Sequence, residues 1–330
     1  MTTIQQDSGR LAWIDWMKGI GIFLIVYGHF FSLGHWYIYT FSVPLFFIIS
    51  GFLCKRETDN NIFWRKLWFN LIVPMLLASV IRLGINVLLS ISSGQFDMSP
   101  VYKFPFQVFI GTHGGLGTLW FVYTLILLKI LLQFAPHRKI AQVGLFVVFP
   151  LIGMLINHYA PEIPKKCLAP VNVCMAYPFF MMGFYLKRFK PFLVECKSVK
   201  LGLASCAICS LIVVVCTKLN EGVWMYQNGY GNNIFLFLIG GMTGTALIYS
   251  VSKLIPAILP PPPIVNISKG TIIILAFHPY LITITRAYFP LRSLYDGVFS
   301  AIIVLLFVPI IMFAERYLPY LMGKYRVTKK

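Results

Sequence analysis

Charge is scarce in this chain. Of 330 residues only 12% are Asp, Glu, Lys or Arg, while 58% are hydrophobic; an average soluble domain carries about 25% charged residues. That much apolar surface cannot be wrapped in a polar coat, so a soluble globular fold is excluded and lipid becomes the expected solvent. Acid is scarcer still, with 10 Asp and Glu against 28 Lys and Arg. The acidic residues fall at expected helix ends or in loops, Asp15 and Glu315 lying nearest the membrane. Ion-coupled carriers commonly hold a carboxylate at mid-span, so this placement weighs against one.

Other things are missing too. No stretch longer than about 25 residues lacks an apolar run, so we expect one membrane domain over residues 1–330 and no separate soluble module. The seven cysteines follow no secreted disulfide spacing. Cys206-Ala-Ile-Cys209 sits in the middle of an apolar run, where packing is the expected role. We expect no metal site. The N-terminus has no short apolar core followed by a small-residue cleavage site, so the first span is expected to stay. The net charge of +18 is spread in short clusters and makes no continuous basic face, which excludes a nucleic-acid partner.

What is present is a series of long apolar runs, near 12–33, 37–54, 67–91, 115–134, 140–157, 171–187, 199–217, 231–251, 268–287 and 295–315. Each is long enough to cross roughly 30 Å of hydrocarbon, which predicts an all-α integral membrane protein of about ten helices. Basic residues concentrate in alternate loops: Lys55, Arg56, Arg65 and Lys66, then Arg138 and Lys139, then Arg188, Lys190, Lys197 and Lys200, then Lys253 and Lys269. With Arg10 and Lys18 at one end and Lys324, Arg326, Lys329 and Lys330 at the other, the pattern predicts that both termini are cytoplasmic. Pro260-Pro261-Pro262-Pro263 reads as a stiff spacer. Gly111-Thr-His-Gly-Gly-Leu-Gly117 reads as a bent loop rather than a phosphate cradle.

Ionisable groups inside spans are costly and serve as functional hypotheses. Three stand out: His29, Arg82 and His278. Lys18 and His29 are eleven residues apart, which places them on nearly one helix face about 16 Å apart, with Asp15 within about 40° of that line. This polar stripe is expected to face the bundle interior. Arg82 reaches a similar depth by helix rise, and His278, followed by Pro279, falls near the midplane. A common cavity is the functional expectation. The plainer readings are an interhelical hydrogen bond for either histidine, a carbonyl clamp or salt bridge for Arg82, snorkelling for Lys18, Arg65 and Lys66, and interfacial anchoring for Trp120.

Trp13-Ile-Asp15-Trp-Met-Lys18-Gly19-Ile-Gly21 leading to Gly28-His29, then Val43-Pro44-Leu-Phe-Phe-Ile-Ile-Ser50-Gly51-Phe52, resembles the acyltransferase 3 family of membrane-bound O-acyltransferases. Leu119-Trp120-Phe121 and the segment from Ser268 to His278-Pro279 are similar to further motifs of that family, so the resemblance covers most of the chain. It implies transfer of an acyl group, usually acetyl, from cytoplasmic acyl-coenzyme A, the acetyl-CoA donor, to a hydroxyl of an extracytoplasmic glycan or lipid-linked saccharide, in a bacterial inner membrane. Two departures stand out. Ser42 occupies a position where many members carry His, and the basic pattern entering the third helix is reduced to Arg65-Lys66.

Acyl transfer to a hydroxyl needs a base, and a neutral imidazole suits that role near neutral pH. We therefore expect His29 as general base, Lys18 with Arg65 and Lys66 on the anionic donor, and Arg82 on the developing oxyanion. Asp15, Trp120 and His278 complete the candidates. A flippase or transporter of a lipid-linked saccharide is the alternative, and a non-catalytic sensor or assembly partner a third. The sequence leaves a homo-oligomer open.

Overall fold

The computed structural model describes residues 11–94, 97–136, 138–163, 167, 169–195, 198–255, 261–290 and 295–324. Arg10, Lys165, Lys166, Cys196, Lys197, Pro260, Arg292, Arg326, Lys329 and Lys330 lie outside them. The described chain is almost entirely helical. Its elements are α1 (Ala12–His29), α2 (His35–Tyr39), α3 (Ser42–Leu53), α4 (Asn60–Leu67), α5 (Val73–Ser92), α6 (Ser99–Ile110), α7 (His113–Leu116), α8 (Trp120–Phe134), α9 (Lys139–Tyr159), α10 (Ala169–Leu186), α11 (Lys190–Glu195), α12 (Val199–Asn220), α13 (Ile234–Leu254), α14 (Pro262–Lys269), α15 (Thr271–Tyr288) and α16 (Asp296–Tyr317).

Each of the ten apolar runs is helical, and eight of the described helices are long and apolar enough to cross a membrane. The boundaries differ instructively. The first run stops at His29, because Phe31 takes a left-handed φ of 51° and Gly34 one of 81°, which turns the chain into the short helix α2. The third run begins earlier than its apolar residues suggest: a π-helical turn at Trp68–Ile72 joins α4 to α5 in one helix, Asn60–Ser92. Of the expected proline spacer, Pro260 lies outside the described residues, and the part that is described runs into a helix. Pro262 and Pro263 open α14, where a missing N–H has no partner to lose and the ring presets φ. Gly111 and Gly117, with φ of 78° and 53°, make the expected bend around α7.

Helix α1 is the centre of the assembly, packing against α2, α3, α13, α14, α15 and α16. Around it the packing depends on small residues. A Cβ on Gly51 would collide with the carbonyl of Phe180, and one on Gly183 with the carbonyl of Ile48, so α3 and α10 meet backbone to backbone. The outer helices turn apolar side chains away from the protein. Val143, Val147, Leu151 and Leu155 of α9, with Leu201, Ile208, Leu211 and Val215 of α12, are exposed, as suits a surface covered by lipid. Between α12 and α13 a short antiparallel hairpin pairs Val223 with Tyr230 and Trp224 with Gly229.

Candidate active site

The site is built at the C-terminal end of α1. The Nδ1 of His29 lies 2.8 Å from the carbonyl oxygen of Ile25, one turn back. A carbonyl only accepts, so Nδ1 carries the proton and Nε2 keeps a lone pair. Tyr39 secures this last turn by donating to the Gly28 carbonyl at 2.8 Å, and a Cβ on Gly28 would press on the Tyr39 ring. Beyond His29, Arg286 donates to the Phe30 carbonyl at 2.6 Å and to the buried Asp296 at 3.1 Å, while Ser32 donates to the same carboxylate. The left-handed Phe31 is thus clamped on both sides.

His278 joins His29. Their rings meet edge to face with centroids 4.7 Å apart, and His278 is fully buried. Its Nδ1 faces the Ile274 carbonyl at 2.8 Å, which again leaves Nε2 with the lone pair, here buried without a partner. A cavity of about 90 Å³ opens in front of His29 but not of His278. Ile22, Ile25, Val43 and Phe46 form one side of it, Trp120 and Val122 another, and Tyr39, Trp224 and Tyr226 close it with aromatic rings. Trp120 is buried against this cavity rather than standing at an outer interface. Ser42, at the position of the family's His, also lines it.

Arg82 does not reach the cavity wall. Its Nη1 donates to the Leu116 carbonyl at 2.9 Å and to Thr118 Oγ1 at 3.1 Å, and a Cβ on Gly117 would collide with the guanidinium. Thr118, which does line the cavity, donates in turn to the Leu275 carbonyl at 2.6 Å. The origin of that bond is Pro279: it has no N–H, so the carbonyl four residues back loses its helical partner and takes the threonine hydroxyl instead. Arg82 therefore braces the wall through Thr118, matching the carbonyl-clamp reading.

At the other end of α1, Asp15 and Lys18 line a second cleft with Lys187, Lys190, Ser268 and Lys269. Ser268 donates to Asp15 at 2.5 Å, tying α14 to α1. Lys187 donates to the Cys54 carbonyl at 3.1 Å, and Lys269 pairs with Glu315 at 3.2 Å. Arg65 and Lys66 are not among these residues. Both are exposed on α4, and Lys66 pairs with Glu57 at 2.9 Å in a neighbouring cleft with Lys55 and Lys129. The two cavities along α1 are lined by consecutive stretches of the same elements: Leu11 to Lys18 then Ile22 to His29, and Ser268–Lys269 then Thr271 to Leu275.

Sequence reasoning missed several of these residues. Trp224 and Tyr226 sit in a hairpin too short to show periodicity. Buried amides fix it: Asn220 donates to the Tyr230 carbonyl at 3.0 Å and accepts from the Asn233 N–H at 2.6 Å, and Tyr230 donates to Asn172 at 2.7 Å. His113 and His35 approach the same aromatic group, with ring centroids 5.9 Å from Tyr226 and 5.7 Å from Trp224. Their position outside a long apolar run hid them.

The fold and site together define a multi-pass helical membrane protein with a histidine presented to an internal cavity. The chain belongs to the acyltransferase 3 family: the family's model, described as an acyltransferase domain, matches residues 11–314. No curated protein and no solved structure matches it. Family membership makes acyl transfer its general activity.

Proposed function

We propose that this protein is a multi-pass O-acyltransferase of a bacterial inner membrane, with both termini cytoplasmic, moving an acetyl group from acetyl-CoA to a hydroxyl of an extracytoplasmic glycan or lipid-linked saccharide. The observation that carries the reading is the pair of cavities on one helix, a lysine-lined cleft at Lys18 and a histidine cavity at His29. Lys18 and His29 are separated by about 16 Å of helix rise, a span suited to a donor whose phosphates and thioester lie at opposite ends of a thin arm. Lys187, Lys190 and Lys269, rather than Arg65 and Lys66, supply the further positive charge beside Lys18.

In the transfer step the acceptor hydroxyl oxygen attacks the thioester carbonyl carbon while His29 Nε2 takes the hydroxyl proton. The C–S bond then breaks, the C–O ester bond remains, and the imidazolium returns its proton to the departing sulfur. His278 backs the His29 ring. The faces of Trp224 and Tyr226 suit the C–H faces of a sugar ring, and both line the cavity into which the base looks. The flippase alternative requires passage of a whole saccharide; the apolar, aromatic-capped cavity favours a reaction chamber over a conduit.

Mass spectrometry of the host's surface glycans with and without the gene tests this. A loss of one acetyl mass from one glycan is expected on deletion. An unchanged acylation pattern together with a lost or accumulated lipid-linked saccharide contradicts the proposal and favours the flippase.

A further inference from the structure

We propose that the cavity at His29 selects the donor by the charge of its acyl group: it accepts short neutral acyl chains and rejects acyl groups ending in a carboxylate, such as succinyl. The inference rests on the acyltransferase reading and refines it.

The argument is one of charge and lining. Among the described residues, no lysine, arginine, aspartate or glutamate lines the cavity that holds His29. Its walls are mainly Ile22, Ile25, Val43, Phe46, Val122 and Leu275 with aromatic rings, and the hydroxyls of Ser42, Thr118 and Thr271 are neutral. The nearby cations are engaged elsewhere. Arg82 is turned onto the Leu116 carbonyl and Thr118, with its other face against Gly117. Arg286 is committed to Asp296 and the Phe30 carbonyl. Lys18 lies about 11 residues, or 16 Å of rise, further down the helix.

Hydroxyl donors are also partly committed, Tyr39 to the Gly28 carbonyl and Thr118 to the Leu275 carbonyl. A carboxylate carried in on the acyl group would thus be stripped of water and left without an ionic partner, and an unpaired buried charge is strongly disfavoured. A methyl or propyl terminus meets a mainly apolar lining and loses no charge solvation.

The test uses the full-length protein in lipid nanodiscs and three probes, acetyl-CoA, butyryl-CoA and succinyl-CoA, each displacing radiolabelled acetyl-CoA. We expect acetyl- and butyryl-CoA to compete within about tenfold of each other and succinyl-CoA about 100-fold more weakly, as desolvation of an unpaired carboxylate requires. Ile272→Lys, which adds an ammonium to the lining, is expected to narrow the succinyl deficit about tenfold by pairing that carboxylate. The wild-type comparison decides the matter even if that variant fails to fold. Equal competition by succinyl- and acetyl-CoA overturns charge selection and leaves the acyltransferase reading standing. Absence of acetyl-CoA binding overturns both.

Discussion

His29 and His278 meet edge to face, ring centroids 4.7 Å apart, each with its Nδ1 on the carbonyl one helical turn back. Only His29 looks into the cavity. His278 stands behind it, fully buried, its Nε2 without a partner. A buried unpaired nitrogen costs stability, and the edge-to-face contact places His278 to orient the base. His278→Leu should leave the thermal midpoint unchanged or higher, because an apolar side chain of similar reach suits the site. Turnover should fall about tenfold or more through loss of base alignment, with acyl-CoA binding unaltered. Unaltered turnover would show that His278 only fills space.

Thr118 connects the wall of the cavity to the carbonyl that Pro279 leaves open. Thr118→Val keeps the volume and removes the hydroxyl, orphaning the Leu275 carbonyl and one Arg82 donor. The expected cost is about 1–3 kcal/mol, read as a lower melting temperature of the solubilised protein. Thr118→Ser keeps the bond and should melt near the wild type. If the two variants melt alike, the hydroxyl bridge carries no weight.

The contact of α3 with α10 depends on the absence of side chains at Gly51 and Gly183. Either Gly→Ala change sets a Cβ against a carbonyl of the facing helix, so something in the backbone must move. We expect each to lower folded protein in the membrane severely, at a cost of about 1–3 kcal/mol or more from overpacking. Gly84→Ala, with open space around it, is the control and should accumulate normally. Normal accumulation of Gly51→Ala would contradict the close approach.

The clamp beyond the base makes a similar prediction. Asp296 is buried, and Arg286 and Ser32 both donate to it. Asp296→Ala leaves Arg286 without its carboxylate, and breaking a buried pair in this way costs about 3–5 kcal/mol. Solubilised protein should show that loss in a thermal scan, whereas removal of the exposed Lys55 from its pair with Glu57 by Lys55→Ala should change it by less than about 1 kcal/mol. Equal effects would place Asp296 among ordinary surface charges.

Much of this was legible in the chain itself. Apolar runs located the helices, because lipid demands length and apolarity that no loop imitates. Helical arithmetic placed Lys18, Asp15 and His29 on one stripe, and the structure puts all three on cavity walls. What local patterns could not give was the company those residues keep. Lys187, Lys190 and Lys269 come to Lys18 from distant segments, while Lys66, nearer in sequence, turns to another cleft and Arg65 is exposed on α4. Arg82 had the depth to reach His29, yet its direction follows from Gly117 and Thr118, which only the packing reveals. The proline run misled because Pro stops a helix only from inside; at the first position it starts one.

The account stands most directly on His29. Transfer of radiolabelled acetyl from acetyl-CoA to the acceptor glycan should be measured for purified wild type and His29→Ala, with acetyl-CoA binding measured in the same nanodisc preparations. Loss of a general base predicts transfer reduced about 100- to 10,000-fold while acetyl-CoA still binds within about twofold of wild type. Transfer by His29→Ala at the wild-type rate would contradict it.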